Sequence, residues 1–380
     1  MSIAELLSRF RVFSHFDEAQ LAQVATLGSI RSLEAGTLAL HEGDPPTQLI
    51  LVLKGAFRIQ HTTQFGPLTL GHVLPGDLIG DMGFIDGKSY GADAVAETDV
   101  EVLALEVDEL TTRTNHDHGL STAILWALWK SLSGKLRKSN DQLAGFFKGE
   151  AGAPPLEIPE SRLAHDENFR VDMATKRDLF QEQRLSSLEI NLLSTLSRER
   201  HYEPGEVIFH EGELGDEMFV VLGGTVLISK FIPGAGDEAL TFLGRGDYFG
   251  EMALIDDQPR SAGARAHDDG TTVLAIPREV VDGLLNIEQV SSLRLLRLLC
   301  SMVALRLRES NGKLLCWYLL SAGKSSCSIR PPRPGPSSPA TRLPALRSPR
   351  HRTSLLPHPR PGRMLFRARL PQSRFRKPCW

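Results

Sequence analysis

The densest chemistry in this sequence lies in one run of fourteen residues, FGEMALIDDQPRSA, from Phe249 to Ala262. Gly250 lets backbone come close to a bound group. Glu251, Met252, Ala253 and Leu254 can open a short helix whose unpaired N–H groups favour an anion. Arg260, brought back by the turn over Asp256–Pro259, offers a planar fork matched to phosphate oxygens, and the Ser261 hydroxyl adds a donor. The Glu251 carboxylate can accept a hydrogen bond from a sugar hydroxyl. Phe249 to Ala253, Arg260 and Ser261 are therefore candidates to hold a phosphorylated sugar. The competing reading is a structural ion pair between Glu251 and Arg260 beside a turn.

Other signals carry less. Gly87-Lys88-Ser89-Tyr90-Gly91 has the form G-x-S-x-G, which would make Ser89 a nucleophile. That elbow needs a buried strand before it and a helix after it in a parallel sheet, and the surrounding pattern here is antiparallel. Arg245-Gly246-Asp247 reads as a turn, because Pro75-Gly76-Asp77 takes the corresponding place earlier in the chain. His41 and His210 recur in HEG triplets, each at a strand-to-turn junction and without metal-ligand spacing. No paired catalytic acids or metal site emerge, so an enzyme is the least favoured class.

The elements that must position these residues come in two copies. Ala35–Ile59 matches Pro204–Ile228 at an offset of 169, including HEG at 41–43 and 210–212. LPGDLIGDMGFID (74–86) lies over GRGDYFGEMALID (244–256) at 170, and LSGKLRKSNDQL (132–143) over VALRLRESNGKL (303–314) at 171. Within each copy a short amphipathic helix leads into β-branched, alternating runs broken every eight to twelve residues by glycine turns. That spacing predicts a compact antiparallel barrel or roll. A closing helix is expected from about Glu279 to Leu315, apolar nearly all round, and so buried against the roll, a sister domain or another subunit. Trp126 and Trp129 belong to the core of the equivalent first helix.

The fourteen-residue run resembles the phosphate-binding cassette of the cyclic-nucleotide-binding domain family, which includes bacterial catabolite activator proteins and regulatory subunits of cAMP-dependent protein kinase. The resemblance covers about residues 10–144 and 183–315. It implies an α+β fold of two tandem eight-stranded, jelly-roll-like β-rolls with flanking helices. It also implies that Glu251 contacts ribose, Arg260 contacts the cyclic phosphate, and backbone groups of Gly250, Met252 and Ala253 complete the pocket. In the family the base is often capped from the closing helix, where Arg294, Arg297 and Ser301 are candidates. Ser261 is compatible with cAMP and cGMP; cAMP is favoured.

The first copy departs from this pattern. IGDMGFIDGKSYGA (79–92) keeps Gly80 but has Asp81 for the glutamate and Tyr90 for the arginine. A phosphate left without its cation costs about 2–5 kcal/mol, or about 30- to several-thousand-fold in affinity. Tight nucleotide binding is not expected there; a different ligand or a structural, dimerising role is.

Length and charge frame the rest. At 380 residues the chain accommodates two ordinary domains, read as 1–144 and 183–315 with a linker at 145–182. Net charge is −3, yet residues 311–380 carry 15 Lys and Arg and no acid, leaving −18 on the first 310. The four cysteines, from Cys300 onward, fit neither a metal site nor a disulfide framework, and no membrane span or signal peptide is expected, so the cytoplasm is the default. From about Cys316 a basic, proline-rich tail is expected to be disordered. It is able to bind nucleic acid nonspecifically, and its composition also matches translation of an alternative reading frame. The expected whole is a cAMP sensor that signals through its closing helix, as a homodimer or with a partner protein. The alternatives are a catabolite-activator-type transcription regulator, for which no helix-turn-helix is visible after Leu315, and a kinase regulatory subunit, for which no Arg-Arg-x-Ser/Ala run precedes the first copy.

Overall fold

A computed structural model describes residues 2–147, 169–232, 236–267, 270–285 and 292–326. The first copy opens with helices α1 (Ile3–Leu7) and α2 (Glu18–Leu27), each started by a reciprocal capping box, from Ser2 with Glu5 and from Asp17 with Gln20. Eight strands follow: β1 (Gly28–Leu33), β2 (Leu38–Leu40), β3 (Gln48–Lys54), β4 (Phe57–Thr63), β5 (Gly66–Val73), β6 (Leu78–Ile79), β7 (Asp93–Ala96) and β8 (Val100–Glu106). Helix α3 (Asp81–Asp86) lies between β6 and β7, and α4 (Val107–His116) and α5 (His118–Phe147) close the copy.

The second copy repeats this order. It has α6 (Met173–Glu182) and α7 (Ser187–Leu196), then β9 (Arg198–Tyr202), β10 (Val207–Phe209), β11 (Glu217–Gly223), β12 (Val226–Ile232), β13 (Gly236–Leu243) and β14 (Tyr248–Phe249). Helix α8 (Met252–Asp256), β15 (Gly263–Ala266), β16 (Thr271–Pro277), α9 (Arg278–Leu285) and α10 (Ser292–Ser326) complete it. Each copy forms two antiparallel four-stranded sheets, ordered β1-β8-β3-β6 and β2-β7-β4-β5 in the first and β9-β16-β11-β14 and β10-β15-β12-β13 in the second. This is the expected tandem pair of eight-stranded β-rolls in an α+β fold.

The apolar runs explain the layering. Along β3 the side chains alternate between two cores: Ile50 and Val52 face the interior of the roll with Phe57, Val73 and Val102, while Leu49, Leu51 and Leu53 join the helices. Strand β11 does the same, sending Phe219 and Val221 inward and Met218, Val220 and Leu222 to the helical side. Period-two alternation with both faces apolar buries a strand twice. The helical core is continuous from Leu7 to Leu307 and draws on both copies.

The centre of that shared core is the packing of α5 against α10. Ser139 and Ser310, equivalent positions in the repeat, meet with their hydroxyls 2.7 Å apart. Contact between equivalent residues is the mark of an approximate two-fold axis. Further pairs obey it. Arg137 on α5 reaches Asp256 of the second copy (2.9 Å) and the Pro259 carbonyl, while its equivalent, Arg308 on α10, reaches Asp86 of the first (2.7 Å) and the Ser89 carbonyl. Each closing helix thus clasps the other copy's cassette, and the apolar faces expected to seek a sister domain or subunit find the sister domain within the same chain.

The described part of the closing segment expected over 279–315 is helical as α9 and α10, and 286–291 between them lie outside the described residues. One expectation changes. Helix α10 runs through Cys316 to Ser326, eleven residues into the segment read as tail, because no proline interrupts it before Pro331; Tyr318 on this extension donates to the Phe65 carbonyl. The rest of the tail, and 148–168 of the linker, lie outside the described residues. Within the linker, α6 begins at Met173 and buries Leu179 and Phe180.

Candidate functional site

The cassette of the second copy starts at the end of β14, where Gly250 turns the chain with φ +77°. A side chain there would meet the Arg260 guanidinium at 2.6 Å, so glycine is required twice over, by conformation and by space. Gly80 in the first copy has φ +90°, and a Cβ on it would strike the Gln48 carbonyl at 2.5 Å. Helix α8 follows with Met252, Ala253, Leu254 and Ile255 all buried, and Asp257 in the left-handed conformation ends it. Asp256 then accepts from the Gln258 amide and from Arg137, which fixes the loop that returns Arg260.

All seven sequence-predicted residues, Phe249, Gly250, Glu251, Met252, Ala253, Arg260 and Ser261, line one cavity. Phe249 stacks on Phe219 with centroids 5.1 Å apart. Ser261 donates to the Met252 sulfur at 3.6 Å. Arg260 is 6% exposed. It donates to the carbonyls of Gly250 and Glu217 and lies over the Phe209 ring, 4.3 Å from its centroid. Its Nε–H is buried with no acceptor, and among the described residues no carboxylate comes within ion-pair distance of it. Burial pushes this guanidinium below its ordinary pKa; the charges of Glu251, Asp216 and Glu217 act against that from a distance.

Glu251 does not pair with Arg260. Its carboxylate, 2% exposed, is held at 3.0 Å by Arg306 of α10, which also donates to the Tyr248 carbonyl. The alternative of a Glu251–Arg260 structural pair is thereby set aside. Arg306 is the residue that sequence reasoning missed, together with Leu136, Asn140 and Leu143, which enter the cavity from α5 of the first copy. The repeat held a signal for it: Lys135 occupies the equivalent position at the 171 offset, and it pairs with Asp81 at 2.5 Å. The expected base-capping residues are elsewhere. Arg294 donates to the Arg184 carbonyl, Ser301 to Arg297 within its own helix, and none of the three lines the cavity.

The cavity itself is about 70 Å³. At about 10–15 Å³ for one water, that admits only a few solvent molecules. Phe209, Phe249, Arg260 and Arg306 are among the residues that line it. In the first copy, Leu40, Ile79 and Tyr90 replace Phe209, Phe249 and Arg260, and the corresponding cavity is about 560 Å³. There Tyr90 donates its hydroxyl to the Gln48 carbonyl and accepts from the Gln48 amide.

The set-aside signals behave as turns. Ser89 is exposed in a loop, and Arg245 pairs with Glu182 while Asp247 accepts from the Gly244 amide. Among the described residues no cluster of His, Cys, Asp and Glu is arranged for a metal, and no helix is long and apolar enough to cross a membrane.

Two antiparallel β-rolls, each with a glycine-hinged cassette beneath a closing helix, define a class of small-ligand-binding domain. Residues 30–116 and 199–288 each match the family model of the cyclic nucleotide-binding domain. The chain carries two tandem domains of that family, related to regulatory domains of cyclic-nucleotide-dependent kinases and to bacterial cyclic AMP receptors. A cGMP-dependent protein kinase of Caenorhabditis elegans is 25% identical over 247 residues, 64% of this chain and 25% of the kinase. The cyclic AMP receptor protein of Thermus thermophilus is 34% identical over 134 residues, 34% of this chain and 58% of the receptor. A cAMP-dependent protein kinase regulatory subunit of Mycosarcoma maydis is 38% identical over 117 residues, 30% of this chain and 21% of the subunit. The chain thus spans between about a fifth and three fifths of these relatives. Among solved structures, the regulatory domain of Toxoplasma gondii PKA with cAMP is 20% identical, over 76% of this chain and 92% of that one, with a TM-score of 0.29.

Proposed function

We propose that the second copy, within approximate bounds of 183–315, binds a 3′,5′-cyclic purine nucleotide, cAMP in preference to cGMP, and that the chain is a regulatory sensor rather than an enzyme. The observation that carries this reading is Arg260, a buried cation with only carbonyls and an aromatic face for company. A charge withdrawn from water is stabilised by a counter-charge in contact, and since Glu251, Asp216 and Glu217 act on Arg260 only from beyond ion-pair distance, a ligand phosphate has that place to fill. The cyclic phosphate fits that requirement, with Ser261 and the backbone of Gly250, Met252 and Ala253 beside it. The ribose hydroxyl goes to Glu251. Relatives named for cAMP, from Thermus thermophilus and Mycosarcoma maydis, stand beside relatives named for cGMP, such as that of Caenorhabditis elegans, so the order of preference is for the titration to decide.

The size of the cavity supports a mechanism. A nucleotide enters only if the lining gives way, and a ribose on Glu251 competes with Arg306 for the carboxylate. Ligand binding therefore acts on α10, which also holds Asp86 of the first copy through Arg308 and Ser139 through Ser310. The shift is driven by the ligand's differential affinity for the two positions of α10. Because α5 and α10 cover each other, this output does not require a homodimer through those faces; a partner protein is the expected recipient.

Calorimetric titration of the full chain with cAMP and cGMP, repeated on Arg260→Ala, tests the proposal. The full chain is needed because α5 of the first copy lines the pocket of the second. One saturable site, weakened about 30- to several-thousand-fold in the variant, is the expected result. Absence of heat with either nucleotide from a folded protein would sink it.

A further inference from the structure

The first copy's cavity is the larger of the two, and its polar groups tell what it can hold. Asp81 is saturated by Lys135 at 2.5 Å, Ser131 at 2.6 Å and its neighbouring Met82 amide. Tyr90 is saturated by both backbone groups of Gln48. His72 pairs with Glu97, Asp77 accepts from the Leu74 amide, Asp141 pairs with Lys230, and Lys130 donates to Ser14. Lys138 is exposed at the rim. The walls between these groups are apolar, from Leu40, Ile59, Leu70, Val73 and Ile79, with Leu307 of α10 forming part of the roof. One buried side-chain polar atom of the lining has no partner, the side-chain oxygen of Gln142, a half-buried residue that also borders a neighbouring pocket with Thr69, Gly145 and Leu314.

We propose that this cavity is a second ligand site, which takes an uncharged, largely apolar small molecule carrying a hydrogen-bond donor for Gln142. Its volume of about 560 Å³ falls within the range of about 300–1,000 Å³ typical of small-molecule pockets. Of the three lysines in its lining, Lys135 is paired with Asp81, Lys130 is half-exposed and donates to Ser14, and Lys138 is exposed at the rim; with Tyr90 where the second copy has Arg260, a phosphate meets no buried unpaired cation. A neutral apolar body displaces water from the walls without stranding a charge. Its occupant touches Leu307 and Asn311, whose helix also carries Arg306 and therefore bears on Glu251 in the other cassette. The two sites then share one moving part. This reading stands independently of nucleotide binding in the second copy.

The test uses N-phenyl-1-naphthylamine, an uncharged fluorophore with one N–H donor, titrated into the full chain. Saturable enhancement at one probe per chain is expected. Gly134 of α5 lines the cavity, and a Cβ there meets nothing within 4 Å, so Gly134→Leu fills the space and improves the helix. It should weaken the probe at least about tenfold, given that well-formed contacts of this kind decide occupancy. Gly71→Val, in β5 and equally free of close atoms, is the second variant, and circular dichroism is to check that both fold. Gln142→Leu should weaken the probe about 2- to 10-fold, the usual worth of one hydrogen bond. The proposal is overturned if the probe does not bind, or if both filled variants bind it undiminished. It is equally overturned if anionic 8-anilinonaphthalene-1-sulfonate binds there and the neutral probe does not, which would make Lys138 the anchor of an anion site, or if cAMP displaces the probe from Arg260→Ala.

Discussion

The two cassettes hold nearly the same backbone around opposite chemistry. At the start of β3 and of β11 a half-buried carbonyl, Gln48 in one copy and Glu217 in the other, takes a donor from the returning loop. Tyr90 supplies it with a hydroxyl and satisfies the adjacent amide as well; Arg260 supplies it with one corner of a guanidinium and leaves a charge and an N–H over. The fold asks only for a donor at this place. On the function proposed above the surplus in the second copy is what a phosphate would meet, and in the first copy, where it is absent, the same recess is a roomier cavity. The acid at the head of each cassette shows the reverse, since Asp81 with Lys135 and Glu251 with Arg306 are one ion pair written with shorter and longer side chains.

The comparison is most severely tested by that ion pair. Arg306→Met leaves Glu251 buried and uncompensated and should cost about 3–5 kcal/mol in urea unfolding. Lys135→Met, whose partner keeps Ser131 and whose site is more open, should cost about 1–3 kcal/mol. Equal costs would mean that the two cassettes are not electrostatically distinct. Next in size is Arg260→Tyr, which imports the first copy's solution. It should lower cAMP affinity by about 2–5 kcal/mol while keeping the melting temperature, because the hydroxyl can serve Glu217 as Tyr90 serves Gln48. A large drop in melting temperature would show that the arginine is part of the scaffold. The smallest effect belongs to the axis itself. Ser139→Ala and Ser310→Ala should each cost about 1 kcal/mol, and the double variant no more than either alone; additive losses would break the pairing.

Much of this was legible in the residues. The 169-to-171 offset repeat, the glycine punctuation and the alternating apolar runs lead directly to two antiparallel rolls, because strand period and turn chemistry are local properties. The cassette residues were legible for the same reason: Gly250, Glu251, Arg260 and Ser261 are joined by a short turn, so spacing along the chain nearly equals spacing in the fold. Helix α10 was legible as buried but not in extent or partner. An all-round apolar helix says that it will be covered and not by what, and the basic character after Cys316 masked a segment still free of proline.

The repeat at 132–143 and 303–314 was in plain view as a likeness, but not that the two segments would touch. Ser139 meeting Ser310, Arg137 crossing to Asp256, Arg308 crossing to Asp86 and Arg306 taking Glu251 from Arg260 all join residues 55 to 222 positions apart. The volumes of the two cavities likewise depend on which side chains from distant elements converge on them. The sequence by itself determined the rolls, the cassettes and the charge each cassette carries, since these follow from short-range pattern. Tertiary structure alone decided who guards the pocket, because an approximate two-fold axis arises only when two folded copies bury their closing helices against each other.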